Sequence, residues 1–502
     1  MGKSGAKALV VVGTSSGAGK SLIVSALCRI AVNSGIKVCP FKAQNMSLQS
    51  YVTRDGGEIG LAQALQAFAS KLEPRREFNP ILLKATGKGS QVMLMGKVYG
   101  TLSPKEYYEK KGFFWEKVRS ALEVLKEEYE LIVVEGAGSP AEINLLDSDI
   151  VNLRIASELK APAILVADID KGGVFASIYG TEKLLKIFAP SQHKALKGFV
   201  INKFRGDPDI LQPGITAIED LTGLKCYGII PFFEDLKIAE EDGAGLPLRR
   251  YYFKENLFEK VKVVVLRLKF IANFWDFDPL VLEPDVELVY SLRHEDILNA
   301  DAVIIPGSKN TVADLKFLRK LGLDEVLKQA VKKGVELVGI CGGFQMLGEV
   351  IRDPDCVESE EKEVKALGLL EAETIFVGEK VTTQVLAETD QLGSYENLWG
   401  YEIHMGRTYG DLFLFKAKRL ATGEEVIDGS KKKSVWGTYF HGIFTNDDFR
   451  RGFLNRLREK KGLKPASTQI NYFKELESTI DALARQVKKF VDVKELWSLV
   501  FN

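Results

Sequence analysis

The chain has 502 residues, enough for two or three ordinary domains. Hydrophobic residues make up 46% and charged residues 27%, a globular composition and not a disordered one. Lys+Arg and Asp+Glu both number 68, so the net charge is zero, and neither a basic surface for an obligate nucleic-acid partner nor an acidic tail is indicated.

No apolar run approaches the roughly 18 residues of a membrane span. The opening MGKSGAKALVVVG runs on into a glycine-rich loop, so it reads as a first strand and not as a signal peptide. Five cysteines, at 28, 39, 226, 341 and 356, are scattered and odd in number. That excludes a disulfide framework or a CxxC metal site and fits a reducing cytoplasm.

From 8 to 231, short β-branched runs alternate with longer helical patterns: ALVVVG (8–13), KVCPFK (37–42), LIVVEGAG (131–138), AILVADID (163–170) and GFVINKF (198–204). Such continuous apolar runs predict parallel strands buried on both faces. IAEEDGAGLPLRR (238–250) breaks the pattern as a linker. A second series follows, with KVVVLRL (262–268), ELVYS (287–291), DAVIIPGS (301–308), ELVGIC (336–341) and a late β-rich stretch, SVWGTYF (434–440). The expected fold is two α/β units joined end to end, spanning 1–237 and 259–450, with a linker at 238–258 and a charged helical tail at 451–502.

ALVVVGTSSGAGKSLIVSALCRIA reads as strand, glycine-rich loop and helix. Backbone N–H groups of such a loop cradle phosphate oxygens, which assigns nucleotide binding to Gly13, Thr14, Ser15, Ser16, Gly17, Ala18 and Gly19. Lys20 reaches the terminal phosphates and Ser21 ligates Mg²⁺. The loop is a variant, with one residue more than G-x4-G-K-[ST]. Glu135 ends the strand LIVVE and is the expected acidic metal ligand, with Asp55 in TRDGGEIG a further candidate. Lys42 ends KVCPFK at the same rim, where a cation neutralises a transferring phosphoryl group unless it is simply a solvated lysine. Asn202 ends a later strand, where its amide can read a purine base. Asp168 and Asp170 in ADIDKGG bind metal or substrate, or merely cap a turn.

In LVGICGGFQMLG, Cys341 follows a strand and precedes a helix-like run. A tight strand-to-helix turn between small residues presents a nucleophile at the sheet rim, although most free thiols are buried and inert. Such a thiol needs a base. Of the four histidines, His441 after VWGTYF is the choice, His404 in GYEIHMG the runner-up, and His193 and His294 lie in charged, loop-like contexts. Gly342 N–H is one expected oxyanion donor, and the Pro306-Gly307-Ser308 turn offers the N–H of Gly307 or Ser308 as the second.

GICGGFQMLG, the PGSKNT turn and the YFHG histidine resemble class I (triad-type) glutamine amidotransferase domains, which release ammonia through a cysteine thioester. Many members carry Glu two residues after the histidine; here that position is Ile443, so the third triad member is absent or comes from elsewhere. The variant loop resembles dethiobiotin-synthetase-like ATP-dependent ligases. FKAQNMSLQSYVT, EIGLAQALQAFA, EGAGSPAEINL, DIDKGGVFAS, INKFRGD and GYEIHMG resemble the cobyric acid synthase family over about residues 8–450.

That resemblance implies ATP- and Mg²⁺-dependent amidation of corrinoid carboxylates with glutamine as nitrogen donor. It places Gln44, Asn45, Asp147, Asp168, Asp170 and His404 among the substrate candidates. A cobyrinic acid a,c-diamide synthase is the enzymatic alternative. A partition-type ATPase switch with an inactive amidotransferase domain is an alternative of another class. Thr14, Ser15 and Ser16, where a switch carries its signature lysine, count against it.

Overall fold

The computed structural model describes residues 5–86, 89–233, 259–467 and 470–502, so the expected linker at 238–258 lies outside the described residues. Two compact units result. The first takes in Met1–Ser47, Glu58–Ile238 and Leu476–Asn502; the second takes in Leu48–Gly57 and Ala239–Glu475.

The first unit is built on six parallel strands: β1 (Lys7–Gly13), β2 (Val38–Phe41), β3 (Leu131–Glu135), β4 (Ala163–Asp168), β5 (Leu196–Phe204) and β6 (Lys225–Pro231). Their order is β6-β5-β4-β1-β3-β2. Successive side chains of a strand point to opposite faces. Val10 and Val12 accordingly enter one apolar cluster with Phe114, Trp115 and Leu122, while Leu9 and Val11 enter another with Ile23, Val24 and Leu27 of α1 (Lys20–Asn33). A sheet buried on both faces cannot alternate apolar with polar, and this accounts for the unbroken runs. The strand order reverses at β1, so the crevice at the carboxyl ends of β1, β3 and β4 gathers Gly13, Glu135 and Asp168.

Between β2 and β3 the chain forms a four-stranded sheet of Gln44–Met46, Ile81–Thr86, Gly89–Leu94 and Lys97–Leu102, which the run pattern did not announce. Residues 451–502 do not stand as one tail. The helix Asp447–Lys460 buries Phe449, Phe453, Leu454 and Leu457 in the core of the second unit. Leu476, Ile480, Leu483 and Val487, at helical spacing, join Leu496 and Val500 against α1 in the first unit. There buried Arg29 donates to Glu477 at 2.8 Å and to Asp481 at 3.0 Å.

The second unit holds the parallel strands β7 (Val261–Leu266), β8 (Val286–Ser291), β9 (Ala302–Ile305) and β10 (Glu336–Ile340). A long antiparallel hairpin of β11 (Ala372–Thr389) and β12 (Tyr395–Gly410) follows, then β13 (Val435–Thr438). The parallel order is β8-β7-β9-β10-β13, edged by Ser430–Lys432. The hairpin heads a second, mixed sheet that the run pattern did not announce, whereas SVWGTYF, the late β stretch that it did, supplies β13 of the parallel sheet.

Candidate active sites in the two units

In the first unit β1 delivers the loop 13–19 to the start of α1. Gly17 and Gly19 have φ of 72° and 99°, a left-handed region that favours glycine. A β-carbon at Gly19 would also collide with the Asn202 amide. Lys20 Nζ curls back over the loop to the carbonyls of Ser15 (2.9 Å) and Gly138 (3.2 Å). A cation folded into a ring of backbone groups marks the place where a phosphate would sit.

Ser21 Oγ donates to Glu135 Oε1 at 2.9 Å, and Lys42 Nζ reaches the same oxygen at 2.7 Å. Glu135 is 1% exposed, and its other oxygen accepts from Gln66 Nε2 and, at 3.4 Å, from Gln63 Nε2. The two glutamines, three apart on the helix Leu61–Ala69, therefore hold the carboxylate with one oxygen aimed at Ser21 and Lys42. A hydroxyl and a carboxylate oxygen brought together beside the loop are the hard donors that Mg²⁺ takes. The fit is with Ser21 and Glu135; among the described residues no group of three or more His, Cys, Asp or Glu is arranged to hold a metal. Asp55 lies in the segment Leu48–Gly57 of the second unit, in a turn where Thr53 Oγ1 donates to it.

Asn202 Nδ2 donates to the Ala18 carbonyl at 2.8 Å, so its amide nitrogen fixes the loop. Lys203, unassigned from sequence, reaches Gly17 O at 2.7 Å and Asp168 Oδ2 at 2.8 Å from a left-handed backbone at φ 63°. Asp168 also accepts from Asp170 N, and Asp170 faces Arg205 at 3.3 Å. These two aspartates thus brace the strand ends. Gln44 accepts from Tyr107, Asn45 donates to Gln63 at 3.0 Å, and Asp147 is exposed in a 3-10 turn.

In the second unit β10 ends at Cys341, whose backbone turns at φ 51° and ψ −107° into the short helix α2 (Gly342–Leu347). A non-glycine residue at such angles is strained, as at other nucleophile turns. The small neighbours are required by contact: a β-carbon at Gly343 would collide with Ile305 O, and one at Gly339 would lie 2.7 Å from Gly343 O. The Pro306-Gly307-Ser308 turn is brought to the same place. A β-carbon on Gly342 would lie 2.9 Å from Ser308 N, and one on Gly307 would lie 2.8 Å from His441 Cε1.

His441 is buried and within hydrogen-bond reach of Cys341. Its Nδ1 lies 2.6 Å from Asp276 Oδ2, and Asp276 Oδ1 accepts from Gly442 N at 2.9 Å. Asp276 therefore stands where Ile443 left a gap. Ile443 itself is buried in the core. Burial disfavours the charged imidazole, but the Asp276 carboxylate and then Cys341 outweigh it and hold His441 up at about 10. By contrast burial pushes the Cys28 thiol up to about 12 and Cys226 to about 11.

His404 is held by its own neighbours on both sides of the ring. Its Nδ1 faces Gly406 O at 2.7 Å, its Nε2 faces Glu402 Oε1 at 3.0 Å, and its ring stacks on Tyr439 at 3.8 Å. Both ring nitrogens are thus engaged within the fold. The neighbouring Ile403 carbonyl, not His404, meets Cys341 Sγ at 3.5 Å.

The family model for the CobQ/CobB/MinD/ParA nucleotide binding domain matches residues 9–246, and that for the CobB/CobQ-like glutamine amidotransferase domain matches residues 262–449. A cobyric acid synthase of Thermodesulfovibrio yellowstonii is 52% identical, covering 98% of this chain and 99% of its own. Cobyric acid synthases of Carboxydothermus hydrogenoformans (45% identical, 99% of both chains) and Clostridium acetobutylicum (44%, 98% of both) match equally far. No helix among the described residues is long and apolar enough to cross a membrane.

Proposed function

The chain belongs to the cobyric acid synthase family, and from that premise we propose that its first unit activates corrinoid carboxylates with ATP while its second supplies ammonia from glutamine. The reaction is amidation of the b, d, e and g carboxylates of adenosylcobyrinic acid a,c-diamide. The relatives' shared name sets aside the a,c-diamide synthase and the ATPase switch. The observation that carries the reading is the pair of sites on one chain: Lys20, Ser21 and Glu135 around an anion cradle, and Cys341, His441 and Asp276 in contact.

In the first unit the loop 13–21 binds the ATP phosphates, and Asn202 and Lys203 hold the loop in shape. Ser21 and Glu135 would hold Mg²⁺, which would supply charge neutralisation on the phosphates. Lys20 and Lys42 offset the charge that spreads over the transferring phosphoryl group. A substrate carboxylate oxygen attacks the γ-phosphorus, ADP leaves, and ammonia displaces phosphate from the acyl phosphate to leave the amide.

In the second unit the Cys341 thiolate attacks the glutamine amide carbon, and the Gly307 and Gly342 amides receive the oxyanion. Imidazolium His441 gives its proton to the departing ammonia. It then takes a proton from the water that cleaves the thioester to glutamate. Asp276 fixes the tautomer and stabilises the imidazolium. All of this chemistry is on small molecules, in the cytoplasm, with no nucleic acid or membrane required.

Mass spectrometry of adenosylcobyrinic acid a,c-diamide incubated with the protein, ATP, Mg²⁺ and glutamine tests the reading. Stepwise conversion of acids to amides is expected. No conversion with either glutamine or ammonium, from folded protein that binds ATP, overturns it.

A further inference from the structure

Leu48–Gly57 clusters with the second unit, although the chain on either side of it, up to Ser47 and from Glu58 onward, belongs to the first. The segment is anchored by specific bonds. Ser50 N donates to Asn273 Oδ1 at 2.8 Å, and Gln384 Nε2 donates to Val52 O at 2.8 Å. At its far end Gly56 lies so close to Thr382 that a β-carbon would sit 2.9 Å from the Thr382 carbonyl.

Tyr51, in the short strand Ser50–Val52 of this segment, is 7% exposed. The ring lies 6.3 Å from Trp275, 6.0 Å from Trp399 at an interplanar angle of 23°, and 6.1 Å from Tyr401. One of these rings touches the catalytic pair, and a second supports it. Tyr401 stacks on the His441 imidazole at 5.2 Å and 17°, and its backbone exchanges hydrogen bonds with His441 at 2.9 and 3.1 Å. Trp275 stacks on Tyr401 at 5.9 Å and 7° and immediately precedes Asp276. Asn273, which Ser50 engages, starts the turn Phe274–Phe277 that carries that carboxylate.

We propose that Tyr51 is a positioning residue for glutamine hydrolysis, holding the Trp275–Tyr401 stack that orients His441 and Asp276 behind Cys341. The packing behind His441 and Asp276 is thus completed by a segment whose two ends run directly into the nucleotide-binding sequence, six residues after Lys42 on one side and into Glu58 on the other. That packing is therefore incomplete in any fragment that begins at the amidotransferase domain. This rests on the reading of Cys341 and His441 as the glutamine-hydrolysing pair.

The test compares full-length Tyr51→Ala and Tyr51→Phe with the unaltered protein in two assays, glutamine hydrolysis and amidation driven by ammonium. A misplaced base slows chemistry more than binding, so Tyr51→Ala is expected to lower kcat for hydrolysis about tenfold or more with KM for glutamine little changed. Tyr51→Phe, which keeps the ring, should restore the rate, and both variants should keep ammonium-driven amidation. A wild-type hydrolysis rate in Tyr51→Ala overturns the proposal. So does a Phe variant as slow as the Ala variant, or loss of ammonium-driven amidation together with hydrolysis. Failure of the unaltered protein to hydrolyse glutamine overturns the underlying assignment of the site instead.

Discussion

Asp276 Oδ2 lies 2.6 Å from His441 Nδ1, a contact made across 165 positions of sequence. It determines how the nucleophile's partner titrates. Burial disfavours imidazolium, yet the carboxylate raises His441 to about 10 from an ordinary 6.5. Asp276→Asn removes the largest raising influence, so the basic limb of the glutamine-hydrolysis pH profile should move to lower pH. The rate should fall by about 10² to 10⁴-fold, the range for losing an oriented general acid–base. A pH–rate series on the variant checks both, with ammonium-driven amidation unchanged as the control. An unmoved basic limb would deny Asp276 its part.

The thiol itself gives a cleaner separation. Cys341→Ala should abolish amidation from glutamine and leave amidation from high ammonium intact, because the ammonia-accepting chemistry lies on the other unit. Parallel assays with the two nitrogen sources read the result. If ammonium fails as well while the protein stays folded, the division of labour is wrong.

Lys20→Ala is the converse experiment. With Nζ gone from the Ser15 and Gly138 carbonyls, the loop loses the cation that meets the terminal phosphates. Amidation should stop with either nitrogen source, and glutamine hydrolysis should persist. Glu135→Gln should behave similarly, since it removes the charge shared by Ser21 and Lys42. Retained amidation in the Lys20 variant would refute the role of the loop.

These sites were unequally visible in the sequence. The loop and the cysteine turn are local: strand, small residues and helix follow one another, and sterics at Gly19 and Gly343 fix which residues fit. The parallel strands were visible because burial on both faces leaves unbroken apolar runs. Asp276 was not visible, because its partner comes to it through the fold and FWDFDP carries no spacing that announces a triad. Gln63 and Gln66 sat in plain sight on an apolar helix, where two buried amides three apart signal a shared polar target. The hairpin of β11 and β12 escaped because half of its outward residues are charged or polar. The destination of 476–502 escaped because an amphipathic stripe says that a helix packs but not on what.

That stripe yields a stability prediction. Leu496 is fully buried with α1, Tyr227 and the helix Tyr472–Phe490 in the core of the first unit. Leu496→Ala should cost about 2–5 kcal/mol, the usual range for a buried leucine, although it lies at the far end of the chain. Thermal or denaturant unfolding measures it. A loss under about 0.5 kcal/mol, typical of an exposed site, would show that the C-terminal helices do not belong to that core.

Glu402 offers a pH test of folding. Burial alone would raise this carboxyl, but His404 and then Arg419 outweigh it and hold it at about 2 against an ordinary 4.5. A group depressed in the folded state stabilises fully above its unfolded value, and the gain is lost as pH falls through the folded one. The contribution, roughly 3 kcal/mol, is therefore present above about pH 4.5 and drains away between there and about pH 2. Glu402→Gln should remove it at neutral pH and flatten the acid limb of the stability curve, because no proton is then taken up at that position on unfolding. Denaturant titrations at pH 3, 5 and 7 on both proteins measure the difference. Parallel curves would mean that the ion pairs of Glu402 with Arg419 and His404 contribute nothing net, their attraction cancelled by desolvation.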